Sequence, residues 1–283
     1  MIAVLLMLCV AAAAYLLKTV GDMKEQREAA QAEELAQQEA AAAEEKAAEE
    51  EAAAAKSESI YAYRGSADDA AYSMAAYDSA VEAGAGVLVL PFIVSQDGTL
   101  YVADDDYAQD LTGYAGYFSG MTDGQIDNLE TKSGGKMLKV SDVFEKYGRD
   151  VHYVIELKYT SDRNLMALKD LIDKNDFADT VSIASEYFKG LRSLDNELPN
   201  TPKIFICSND ENWGEALNLE YLDAISVSKE MLSEERCRAA HEQNKKFGAG
   251  ILNSEEDMKS AIGMGVDFCF TDEAALAAGL EKE

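Results

Sequence analysis

The chain has 283 residues, 53 acidic and 25 basic side chains and a net charge of −28. Charge of that sign repels phosphate backbones, so no nucleic-acid partner is expected. A hydrophobic content of 48% excludes wholesale disorder, and only three prolines exclude a Pro-rich or collagen-like chain.

Residues 2–17 are apolar and uncharged, and Lys18 follows them. As a helix they would span roughly 24 Å, near the ~30 Å hydrocarbon core, with the lysine able to snorkel. The expectation is an uncleaved membrane anchor over 1–20. A cleaved signal peptide is the rival, though no basic residue precedes the apolar run. Lys18, Lys24 and Arg27 lie after the span, which taken literally would hold the globular part in the cytoplasm. The layout of one anchor, a spacer and a domain points instead to an extracytoplasmic domain.

Residues 21–58 form an acidic, low-complexity tract, and 23–57 contain no Gly or Pro. Ala, Glu, Gln and Lys favour helix, so a solvated helical spacer is expected. No apolar heptad seam beyond Ala specifies a tight coiled coil. Residues 22–58 carry a net −8 and residues 59–283 a net −21, so most of the acidity belongs to the globular part.

From Ser59 onward, short apolar runs alternate with amphipathic stretches. Strands are expected at 60–63, 87–94, 153–157, 181–184, 203–207, 224–227, 248–252 and 268–270. Helices are expected at 70–83, 140–147, 163–174, 187–197, 212–217, 229–246, 254–264 and 273–280. Several strands are almost wholly apolar, as strands buried on both faces should be. Eight such units suit a (β/α)8 TIM barrel over 59–283, with an open doubly wound sheet as competitor. Residues 104–139 interrupt the rhythm after the second strand and read as an insertion. Its aromatics, Tyr107, Tyr114, Tyr117 and Phe118, would form a lid or partner surface, or pack onto the barrel.

Four segments carry a resemblance. Tyr61-Ala-Tyr-Arg-Gly65, residues 84–106, Val154-Ile-Glu-Leu-Lys158 and Gly265-Val-Asp-Phe-Cys-Phe-Thr-Asp272 stand in the order of motifs found in glycerophosphodiester phosphodiesterases. The chain resembles that family from about Ser59 to Leu280. The resemblance implies a TIM barrel that uses calcium or magnesium to hydrolyse glycerophosphodiesters to glycerol 3-phosphate and an alcohol. A hard cation needs several oxygen ligands, and the hydrolysis needs one group to take a proton and another to give one.

The family's two histidine positions hold Tyr63 and Ala103 here, and two of its acidic metal positions hold Val89 and Pro91. Arg64, Glu156 and Lys158 remain, Gly250 stands at a tryptophan position, and Asn253 is kept. The chain's two histidines do not compensate. His152 should lie at the barrel's N-terminal end and His241 in a helix. Tyr63, with an ordinary pKa near 10, is a poor base. Catalysis of the family type is therefore not expected, and no cofactor is expected unless the site is active. Arg64, Lys158 and Lys229 should reach the C-terminal face and suit a phosphate ester or polyol. Glu156 would pair with Arg64 or Lys158. Two rivals stand: an active hydrolase rebuilt around a metal on Glu156, Asp104 and Asp105, and a passive protein-recognition module.

Overall fold

The computed structural model describes residues 56–281. The expected membrane anchor and nearly all of the expected spacer lie outside the described residues. Among the described residues, no helix is long and apolar enough to cross a membrane.

Runs rich in Val, Ile and Phe form the strands β1 (Ser57–Ala62), β2 (Ala85–Val94), β3 (Leu100–Val102), β4 (His152–Leu157), β5 (Val181–Ser185), β6 (Lys203–Cys207), β7 (Ala224–Val227), β8 (Lys246–Ala249) and β9 (Phe268–Thr271). β1 bonds in parallel to both β2 and β9, so eight parallel strands close on themselves. The closed barrel replaces the open sheet as the only architecture compatible with that pairing. β3 stands outside it, antiparallel to β2, with Val102 opposite Phe92. This short strand was not anticipated: the expected strands pass directly from 87–94 to 153–157, and a run of three residues carries no periodicity of its own. β1 begins at Ser57, two residues before the expected start of the barrel.

The helices that position the mouth are α1 (Met74–Glu82), α2 (Gln109–Thr112), α3 (Asp123–Ile126), α4 (Val140–Tyr147), α5 (Asp162–Asn175), α6 (Phe188–Glu197), α7 (Asp210–Asn218), α8 (Glu234–Glu242), α9 (Glu255–Gly263) and α10 (Ala274–Leu280). Ser73, Ser161, Asn209, Ser233 and Ser254 cap five of them with side-chain oxygens that accept an early backbone N–H. These caps explain two corrections. The first helix starts at Met74 rather than at residue 70, because Ser73 caps it. The single helix expected over 229–246 is a 3-10 turn, Lys229–Met231, followed by α8, because Ser233 restarts the chain there. Lys246 then opens β8, which ends at Ala249, three residues short of the expected strand.

Burial divides into two layers. One lies between sheet and helices and includes Leu88, Leu90, Ile155, Ile183 and Phe205. The other fills the barrel itself with Tyr61, Val87, Val89, Val154, Ala184 and Phe268, among others. Alternate residues of one strand serve the two layers, as the period of two requires. Inside the barrel, Tyr61 stacks on Phe268 with ring centroids 4.4 Å apart. Gly248 makes that stack possible: a Cβ there would lie 2.0 Å from the Phe268 ring.

The insertion has a small core of its own, in which Ile93, Tyr101, Ala103, Phe118 and Ile126 are buried. Phe118 thus packs inward, whereas Tyr107, Tyr114 and Tyr117 stay exposed.

Gly248→Ala should destabilise the barrel by about 1–3 kcal/mol through overpacking against Phe268. A shift of the urea midpoint to lower concentration checks it, and an unchanged midpoint would show that the aromatic stack can move aside.

Candidate functional site

The parallel strands all end on one face, where side chains at successive strand ends converge. There a cavity of about 220 Å³ opens, lined by Tyr63, Glu156, Lys158, Glu186, Ser226 and Ser228, among others. Counting by twos from the barrel interior finds the polar members of the set. Val154 leads to Glu156 and Lys158, Ala184 to Glu186, and Ala224 to Ser226 and Ser228. Glu186, Ser208, Ser226 and Ser228 were not singled out from sequence. The same alternation, carried two residues past each apolar strand, would have found them.

Glu156 is the central side chain. The residue is 3% exposed, and Lys158 Nζ lies 2.6 Å from Oε1 of its carboxylate. The other oxygen, Oε2, is buried with no hydrogen-bond partner. Burial pushes the Glu156 carboxyl above its ordinary range, against the pull of Lys158. Lys158 Nζ also donates to the Tyr63 hydroxyl at 3.3 Å. Burial and the neighbouring Glu156 push the Tyr63 phenol far above its usual value, so it remains protonated and cannot serve as a base. Of the two pairings expected for Glu156, the one with Lys158 is formed.

Arg64 follows β1 at the rim, exposed, with its guanidinium 6.0 Å from the Tyr63 ring centroid. Its electrostatic neighbours are Tyr72, Asp272 and Asp104. Gly65, at φ +89°, brings the following turn close to α1, because a Cβ there would lie 2.5 Å from the Ala76 backbone. Asp104 accepts from the Tyr72 hydroxyl at 3.0 Å. Asp105 accepts from the Tyr159 hydroxyl at 3.0 Å and the Tyr107 N–H at 2.9 Å, which fastens the insertion to the loop after β4. Asp105 does not line the cavity. Neither does Lys229, whose ammonium is 2.7 Å from Asp257 at the start of α9. Asn253 Nδ2 donates to Asp272 Oδ2 at 3.0 Å, and Asp272 Oδ1 is buried without a partner.

Pro91 is buried and stands in register beside Glu156, with Val89 beside Val154. Ala103 is fully buried, and its N–H donates to the Pro91 carbonyl at 3.0 Å. Of the four positions where the resemblance implies acids and histidines, Tyr63 lines the mouth cavity with a phenol, and Val89, Pro91 and Ala103 are buried apolar residues. A hard divalent cation needs about six oxygen ligands. Among the described residues, no group of three or more His, Cys, Asp or Glu is placed to hold a metal ion. The orphaned Glu156 oxygen is one suitable donor, but Lys158 holds the other oxygen of the same carboxylate and Pro91 stands in register beside it. The residues present do not fit the cation that the resemblance implies.

His152 lies at the opposite end of the barrel, at the start of β4, with Nε2 2.8 Å from Ser182 Oγ. Burial lowers its pKa and favours the neutral ring. His241 lies on α8, 2.7 Å from Asp267. Neither ring reaches the mouth cavity.

Comparison with known proteins agrees with this geometry. A model of the glycerophosphoryl diester phosphodiesterase family matches residues 63–276. The chain is similar to a glycerophosphodiester phosphodiesterase from Agrobacterium tumefaciens str. C58, at 19% identity and a TM-score of 0.68, over 80% of this chain and 99% of that one. It is similar to a phosphodiesterase from Oleispira antarctica in complex with the product sn-glycerol-3-phosphate, at 16% identity and a TM-score of 0.71, over 79% and 96%. It is also similar to a glycerophosphodiester phosphodiesterase from Thermotoga maritima, at 23% identity and a TM-score of 0.67, over 78% and 97%. Likeness at these identities establishes the shared barrel. Among curated proteins, none matches the sequence.

Because the Glu156 carboxyl titrates higher in the folded chain than in the unfolded one, folding tightens its proton, and stability falls as pH rises between those two values. Glu156→Gln removes that penalty. The melting temperature of the variant, relative to the parent, should therefore be higher at pH 7.5 than at pH 4.5. Melts followed by circular dichroism test this, and a larger relative gain at pH 4.5 would reverse the assignment.

Proposed function

The chain belongs to the glycerophosphoryl diester phosphodiesterase family, and we propose that its barrel mouth binds a phosphate ester of a small polyol without hydrolysing it. The observation that carries this reading is the content of the mouth. Lys158, the carboxylates of Glu156 and Glu186 and a wall of serine hydroxyls line it, Arg64 stands exposed outside that lining, and neither histidine ring reaches it. Arginine offers a fork of donors to a phosphate, and serines offer donors and acceptors to alcohol groups. Hydrolysis would need a paired base and acid poised near neutral pH. The Tyr63 phenol stays protonated and the Glu156 carboxylate is held by Lys158.

The solved relative from Oleispira antarctica that holds sn-glycerol-3-phosphate supports this ligand class. A cavity of about 220 Å³ suits so small a head group. The same proposal places the barrel outside the cytoplasm, held to a membrane by the apolar segment 2–17 and set off by the Ala/Glu-rich tract. That makes the domain a membrane-held receptor or scaffold for phosphate esters.

Isothermal titration with glycerol 3-phosphate tests the binding. Measurable affinity, weakened at least about fivefold by Arg64→Ala, is the expected result. In parallel, glycerophosphocholine with calcium or magnesium should release no glycerol 3-phosphate above the protein-free rate. Turnover that Glu156→Gln abolishes would establish an active hydrolase instead.

A further inference from the structure

The mouth cavity is small, and its surroundings are not. Ligand pockets for drug-sized molecules commonly run to about 300–1,000 Å³, against about 220 Å³ here. Anything larger than a phosphorylated three-carbon unit must cross the rim. Exposed apolar side chains stand on the loops that follow its strands. Tyr159 follows Lys158, Tyr187 follows Glu186, and Ile251 lines the cavity itself. Tyr107 is joined to Tyr159 through Asp105, and its ring centroid lies 5.2 Å from that of Tyr117. These five side chains are between 39% and 62% exposed. Of the eight most exposed large hydrophobic side chains among the described residues, only Met166 and Ile262 lie on barrel helices.

Position and chemistry select the occupant. An aromatic face is electron-rich and attracts the positively polarised C–H groups of a flat partner. The polar groups beneath are carboxylates and hydroxyls, Glu186, Ser208, Ser226 and Ser228. Carboxylates accept from vicinal hydroxyls, and serines both accept and donate. A barrel with a net charge of −21 over residues 59–283 disfavours a polyanionic partner or an anionic membrane surface. A ring with C–H faces, several hydroxyls and a single phosphate satisfies all three constraints.

We propose that the tyrosines flanking the barrel mouth form a saccharide-stacking shelf, so that the preferred ligand is a phosphate ester whose alcohol part is a sugar ring. This rests on the phosphate-ester reading of the mouth and names its ligand class. The phosphate meets Arg64 and Lys158, and the ring lies against Tyr187 and Tyr159, with its hydroxyls toward Glu186 and the serines.

The experiment compares glucose 1-phosphate with glycerol 3-phosphate by isothermal titration, since both carry one phosphate monoester. The parent should bind glucose 1-phosphate about fivefold more tightly. Tyr187→Ala should bring that ratio close to one, and Tyr187→Trp should keep it. Thermal melts check that both variants are folded. Equal affinities in the parent overturn the shelf and leave the mouth reading intact. A preference that survives both Tyr187→Ala and Tyr159→Ala/Tyr187→Ala also overturns it. Binding of neither ester overturns the mouth reading and the shelf together.

Discussion

Closure of the sheet is the constraint on which the mouth depends. β1 pairs with β2 on one side and β9 on the other, so the ends of eight strands are held in a ring. Once the ring is closed, period-two alternation decides which side chains enter the cavity and which face the helices. Arg64, at the end of β1, and Asp272, after β9, are neighbours only because of that seam. The interior stack of Tyr61 on Phe268 spans the same two strands, and Gly248 on β8 leaves room for it. Packing deep in the barrel thus supports the geometry of the polar groups above.

Within that ring, the Glu156–Lys158 pair fixes the chemistry of the mouth. A carboxylate this buried is costly to ionise unless a cation attends it. Lys158 satisfies one oxygen and leaves the other free. The pair draws Tyr63 into its hydrogen bonds through the lysine. Pro91, the register partner of Glu156, adds a buried apolar wall where the family pattern implies an acid. The outcome is a polar site in which Lys158 holds the one carboxylate and the phenol beside it stays protonated.

Much of this was legible from residues alone. The eight barrel strands follow from apolar runs, and the period of two along them carries Glu156 and Lys158 to the mouth. The contacts that depend on side-chain reach were not legible. Lys229 has the right place in the chain for the mouth, yet Asp257 on the next helix but one captures it. Asp105 looks like a metal donor in a run of three aspartates, but its oxygen holds Tyr159 and the Tyr107 N–H. Element breaks were missed where one capping residue decided them, as at Ser233. Pairing partners far apart in sequence leave no local mark, whereas periodicity does.

The remade second strand has a consequence beyond the mouth. β2 reads AGVLVLPFIV, and all ten residues are buried and uncharged. The family pattern implies two carboxylates within it, and each would interrupt that run in the nascent chain. Here only Pro91 does so. Such a stretch, rich in β-formers and free of charge, can template cross-chain pairing before the barrel closes. The abundant negative charge elsewhere on the domain opposes that pairing, because like-charged copies repel. With no charge between Ala85 and Val94, the strand places that burden on the folding chain.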